Sequence, residues 1–84
     1  MLNTNELIDR IIKERKLIRR INKSIEQDKI VLKRREDSGD KEGVEFWKDI
    51  IQRDIKCRRD CHKLIELYLD SLERIYDREV ANEQ

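Results

Sequence analysis

The chain contains no proline and only two glycines, Gly39 and Gly43, both in one short polar stretch near its midpoint. Proline and glycine are the residues that most often end a helix, so their absence elsewhere leaves two long uninterrupted segments around a single reversal. Aromatic residues are also scarce, with one Phe, one Trp and two Tyr among 84 residues. A chain this short forms one domain and buries a modest fraction of its unfolded surface, which excludes a thick core. No apolar run approaches the roughly 20 residues needed to cross a bilayer. Residues 1–10 are already amphipathic, with Glu6 and Asp9 where a secretory leader would carry basic residues, so the expected location is the cytoplasm. The two cysteines, Cys57 and Cys61, lie four apart on one predicted helix. That spacing is poor geometry for a mutual disulfide and says little about the redox compartment.

What the chain has in abundance is charge: 46% of its residues are Asp, Glu, Lys or Arg, against 37% hydrophobic. Such a composition fits long exposed helices or coiled coils better than a compact globule. In the first half Leu7, Ile11, Ile18, Ile21, Ile25 and Leu32 follow alternating four- and three-residue steps, with Glu14 and Asp28 in the two remaining seam positions. In the second half Val44, Trp47, Ile51, Cys61, Ile65, Tyr68, Leu72 and Ile75 step in the same way, with Asp54 and Arg58 in the seam. Asn3 and Glu6 have the spacing of a capping box at the start of the first helix. The stretch 34–43 loses every apolar residue and gathers the turn formers, so Gly39 is the expected helix-ending residue.

The expected fold is therefore all-α, a long antiparallel helical hairpin occupying residues 1–84 as one domain. The expected elements are a helix over 4–36, a turn over 37–43, a helix over 44–80 and a short tail over 81–84. Arms of about 33 residues would run roughly 50 Å at 1.5 Å per residue. A fold about residue 39 or 40 puts Ile18 opposite Cys61, Ile21 opposite Arg58 and Ile25 opposite Asp54. One or two polar groups in such a seam set register and oligomer state; a functional polar site is the alternative. Ile8, Ile12, Leu17, Ile30 and Val31 in the first helix widen the apolar stripe, as do Phe46, Ile50, Ile55, Leu64, Leu67 and Leu69 in the second. Each helix is thus expected to touch more than one neighbour, most simply in a homodimer forming a four-helix bundle.

Charge is unevenly distributed although the net charge is only +1. Residues 10–35 hold eleven Lys or Arg against three acids, a net of +8, and residues 50–63 hold five against two, a net of +3. Residues 36–49 and 64–84 each hold six acids against two basic residues, a net of −4 apiece. Folding the hairpin gathers Arg15, Lys16, Arg19, Arg20 and Lys23 with Arg53, Lys56, Arg58, Arg59 and Lys63 into a basic band. Such a band could contact nucleic-acid phosphates. The competing view is that these are solvated helix faces paired with acids three or four residues away, such as Glu26 with Lys29 or Lys56 with Asp60. No aromatic interleaves the band to stack on bases. A membrane surface is not expected, since the helices have each other's apolar faces to cover.

Cys57, Cys61 and His62 are the only candidate metal ligands, and a structural site needs four, so no metal is expected without a second chain. No nucleophile and base pairing and no phosphate-binding loop occurs, so neither catalysis nor a cofactor is expected. Phe46 and Trp47, beside the acidic turn, are the candidate anchors for a protein partner, because aromatic side chains dominate interfaces; for Trp47, a role as core plug is the alternative.

The segment Leu-Ile-Asp-Arg-Ile-Ile-Lys-Glu-Arg at residues 7–15 resembles the first helix of helical chorismate mutases, although the rest of that pattern, including a third helix, is missing. In size and arrangement the chain is similar to short helical-hairpin regulators of Gram-positive bacteria and their phages, such as sporulation phosphatases of the Spo-zero-E type. It lacks their Ser-Gln-Glu-Leu-Asp signature, so no functional residue is carried over. The likeness implies that a hairpin this small can act by docking on a larger protein. The functional expectation is a non-enzymatic regulator or inhibitor, of the kind phages and mobile elements carry, that binds a protein partner through a helical face. A nucleic-acid-binding dimer and a structural coiled-coil subunit are the alternatives.

Overall fold

A computed structural model describes residues 2–83 and shows an all-α chain of two helices, α1 (Thr4–Ser38) and α2 (Lys41–Glu83). They lie antiparallel in a rod of 68 × 17 × 15 Å. Its radius of gyration is 19.3 Å, against about 12 Å for a compact domain of this length.

Local chemistry fixes both ends of α1. The Asn3 side-chain oxygen accepts the Glu6 backbone N–H at 2.9 Å, and the Asn3 side-chain amide donates to the Glu6 carboxylate at 3.2 Å. The expected capping box is present, but its return bond runs through the asparagine side chain instead of its backbone. At the other end Gly39 adopts φ +76°, the left-handed conformation that glycine alone reaches without strain. Its N–H donates to the Glu36 carbonyl at 3.1 Å, and the Asp40 N–H donates to the Arg35 carbonyl at 3.0 Å, the two bonds of a Schellman motif.

Asp40 also starts α2. Its carboxylate accepts the Gly43 N–H at 3.0 Å and its carbonyl accepts the Val44 N–H at 3.0 Å, while Arg35 pairs with the same carboxylate at 3.5 Å. One residue serves both helices, so the connection is Gly39 and Asp40 alone. The seven-residue turn expected over 37–43 contracts: α1 runs to Ser38 and α2 begins at Lys41. At the far end α2 runs to Glu83, so residues 81–83 of the expected tail are helical; Gln84 lies outside the described residues. A side chain at Gly43 would collide with the Asp40 carboxylate, which accounts for the second glycine.

Every one of the eighteen seam positions read from the sequence is buried or half-buried. Ile21, Ile25 and Cys61 form the central cluster, with Ile18 and Ile55 packed against it, and Leu7 and Ile51 are buried further along the rod. Cross-helix bonds from Asn22 to Arg58 and from Ser24 to Asp54 join residues whose numbers add to 80 and 78, which fixes the register around 79. The residues expected to widen the stripe divide. Val31, Ile50 and Ile55 are half-buried, whereas Ile8, Ile12, Leu17, Ile30, Phe46, Leu64, Leu67 and Leu69 are exposed.

Candidate functional site

The polar seam residues make two cross-helix constellations at mid-rod. In the first, the Ser24 hydroxyl lies 3.4 Å from the Asp28 carboxylate and 3.3 Å from that of Asp54. A hydroxyl carries one hydrogen and can serve only one of the two at a time. Burial, and then the hydrogen bond and negative charge of Asp54, raise the Asp28 carboxyl above its usual 3.8, with Ser24 pulling the other way. In the second, Arg58 reaches across the seam and its guanidinium donates to the Asn22 side-chain oxygen at 2.8 Å. Neither Ser24 nor Asn22 carries a sequence signal beyond its place beside the seam, and both were missed as partners.

Cys61 is 4% exposed. Its thiol is pushed up to about 11 by burial and then by the facing Glu14 carboxylate, with Cys57 adding to the effect. Cys57 is exposed, as is His62. Among the described residues no three His, Cys, Asp or Glu side chains come together in a way that could hold a metal ion.

The candidate phosphate contacts share the same length of rod but not the same side of it. Seam spacing puts Arg15, Arg19 and Arg59 on one flank, Arg20 and Arg53 on the other, and Lys16, Lys23, Lys56 and Lys63 on the outer surfaces, while Arg58 lies in the seam. They form a collar and not a stripe. Glu26 pairs with Lys29 at 3.8 Å, while Lys56 and Asp60 do not reach ion-pair distance. Arg15, Arg19 and His62, with Ile18 and Ile65, line one shallow hollow.

The two flanks differ in character. On one, seven-residue steps bring Val31 level with Ile50, Ser24 with Cys57, and Leu17 with Leu64, so three successive layers are apolar or small. The fourth layer pairs Arg10 with Ser71, and beyond it at the free end lies an open groove of about 240 Å³ lined by Leu2, Leu7, Leu67, Tyr68, Ser71, Arg74, Ile75 and Arg78. On the opposite flank the equivalent layers pair Lys29 with Lys48, Asn22 with Ile55, Arg15 with His62 and Ile8 with Leu69. Only the last of these is fully apolar.

Near the turn, Phe46 is 58% exposed and Trp47 is half-buried in the seam. Their rings meet edge to face at 5.5 Å and 87°, so the embedded indole steadies the exposed phenyl ring. Trp47 occupies the seam, and Phe46 lies exposed beside it.

No family model, curated protein or solved structure matches the chain. Among the described residues no helix is long and apolar enough to cross a membrane.

Proposed function

We propose that this chain is a small non-enzymatic interaction module that self-associates and docks on a larger protein as a regulator. The observation that supports it is the balance of apolar side chains among the described residues: five are buried, and nine large ones, Ile8, Ile12, Leu17, Ile30, Phe46, Leu64, Leu67, Leu69 and Tyr76, are more than a third exposed. Where such side chains adjoin, as Leu17 and Leu64 do on one flank, they mark a surface that other macromolecules cover. The polar clusters are occupied within the fold, Ser24 with the two carboxylates and Asn22 with Arg58, which favours a structural over a catalytic use of these groups. The partner-binding residues in this reading are Phe46 as the exposed anchor and Trp47 as its support. The location that goes with this reading is the cytoplasm.

The test is a tagged pull-down from native cells, split into nuclease-treated and untreated halves. One protein retained at near-equal amount after nuclease, and released by Phe46→Ala, is the expected result. Material lost on nuclease treatment would transfer the function to the basic collar, a reading favoured by the net +8 of residues 10–35. In that case Arg15→Gln, Arg19→Gln and Arg59→Gln together should abolish retention. Arg58 is left out because it holds Asn22 across the seam. Retention of nothing but further copies of the chain would leave a structural coiled-coil subunit.

A further inference from the structure

We infer that two copies of this chain join along the flank carrying Leu17 and Leu64, with their turns at the same end, so that α1 of each lies against α2 of the other. The inference rests on the self-association proposed above and adds which surface is used and in which direction.

Three observations carry it. The first is area. The chain exposes 7072 Å², whereas a compact monomer of 10.3 kDa would expose about 5,400 Å². The excess, roughly 1,700 Å², is about twice what each partner contributes to a standard interface. The second is the asymmetry of the flanks. Leu17 and Leu64, 39% and 38% exposed, sit level with one another, and the next layer toward the turn is the small pair Ser24 and Cys57. Past the Arg10 and Ser71 layer, the same flank bears the groove at the free end. The opposite flank presents lysine, arginine or histidine at four of its eight positions, and its one fully apolar layer, Ile8 with Leu69, is at the free end. A mid-rod run of apolar or small residues beside the seam on one flank, with Lys29, Lys48, Arg15 and His62 at the same heights on the other, is what a hairpin needs to become half of a four-helix bundle.

The third observation is charge, and it sets the direction. Helix α1 carries eleven Lys or Arg against seven acids, net +4, and α2 carries nine against eleven, net −2. If the turns share one end, each α1 lies beside the partner's α2, so neighbouring helices have opposite net charge although their mid-rod segments are both basic. If the turns lie at opposite ends, α1 lies beside α1, and helices of the same net charge face each other. The shared-end arrangement also puts Arg20, on the rim of this flank, level with the oppositely charged Asp60 of the second copy, because the two occupy the same height in the register.

The test uses the full chain. Sedimentation equilibrium should give twice 10.3 kDa; a monomer at 100-fold dilution and at high concentration alike overturns both this inference and the self-association it rests on. Leu17→Glu with Leu64→Glu should halve the mass, while Ile8→Glu with Leu69→Glu on the other flank should leave it unchanged. The reverse pattern overturns the choice of flank and leaves self-association standing. Should the Leu17 and Leu64 variant unfold once separated, a spin label on Ser38→Cys in a Cys57→Ala background reads the direction with Leu17 and Leu64 intact. Packed helices sit 8–10 Å apart, so labels at a shared turn end should lie within roughly 25 Å of each other. A separation near the 68 Å length of the rod overturns the proposed direction.

Discussion

Asp28 and Asp54 belong to different helices yet meet across the seam, with the Ser24 hydroxyl 3.4 Å from one carboxylate and 3.3 Å from the other. Two like charges are held together by neighbouring apolar packing, which gives the rod a pH response. Asp28 is raised above its unfolded value of 3.8 by burial and by Asp54. An acid raised in the fold contributes stability that is fully present below its unfolded value and is lost as the pH climbs through the folded one. Asp28→Asn keeps the shape, removes a charge and supplies an amide N–H to Asp54. Its melting temperature should exceed that of the parent at pH 7, and the gain should shrink toward pH 3.5. Thermal melts followed by circular dichroism at the two pH values check it; no gain at pH 7 would mean the carboxylates do not oppose each other in solution.

The turn offers a second prediction. Gly39 sits at φ +76°, and placing a side chain in that conformation costs about 1–2 kcal/mol. Gly39→Ala should lower stability to urea by that amount. Asp40→Ala should lower it by about 1 kcal/mol through loss of the cap, with the Arg35 pair lost as well.

Phe46 and Trp47 are neighbours with different burdens. Trp47→Ala removes a half-buried seam residue and should cost about 2 kcal/mol, whereas Phe46→Ala removes a mostly exposed ring and should cost less than about 1 kcal/mol. Urea titrations of the two variants give the comparison. Equal losses would show that the exposed ring packs in solution against something beyond its own chain.

The cysteines should divide cleanly by reactivity. Cys57 is exposed, while Cys61 is buried with its thiol pushed up to about 11, and the thiolate is the reactive form. Iodoacetamide at pH 8 should label Cys57 in the folded chain at a dilution that separates the copies, and reach Cys61 only in denaturant. Mass spectrometry of the labelled peptides reads the difference. Rapid labelling of both without denaturant would place the opening of the seam on the timescale of the reaction.

How far the sequence carried the fold follows from which forces leave a trace in it. The seam was legible because helix geometry forces apolar residues into three- and four-residue steps, and all eighteen positions so read are buried or half-buried. The turn was read too long because Lys41 and Glu42 are polar, as the solvent-facing first turn of any helix is, and because Asp40 caps both helices at once, which no periodicity reports. The end of α2 extends past the expected residue 80 because the apolar steps end at Ile75, and Ala81, Asn82 and Glu83 continue the helix with no such step to mark them. Ser24 and Asn22 lie off the apolar stepping and carry no signal in the sequence; only the cross-helix register shows what they hold. The ten basic residues were grouped by position along the chain, whereas their angular positions around two helices spread them into a collar.

The two-residue link at Gly39 and Asp40 also governs the order in which the rod can open. Contacts next to the link close the smallest loops, and each pair further along closes a larger one at a rising entropic cost. Val44 and Trp47 are therefore the first to find their partners as the chain zips from the link outward, and the free end is the last to shut and the first to fray. The apolar groove at Leu2, Leu7 and Leu67 lies at that fraying end, so the part of the surface best shaped to receive another side chain is also the part whose walls part most readily.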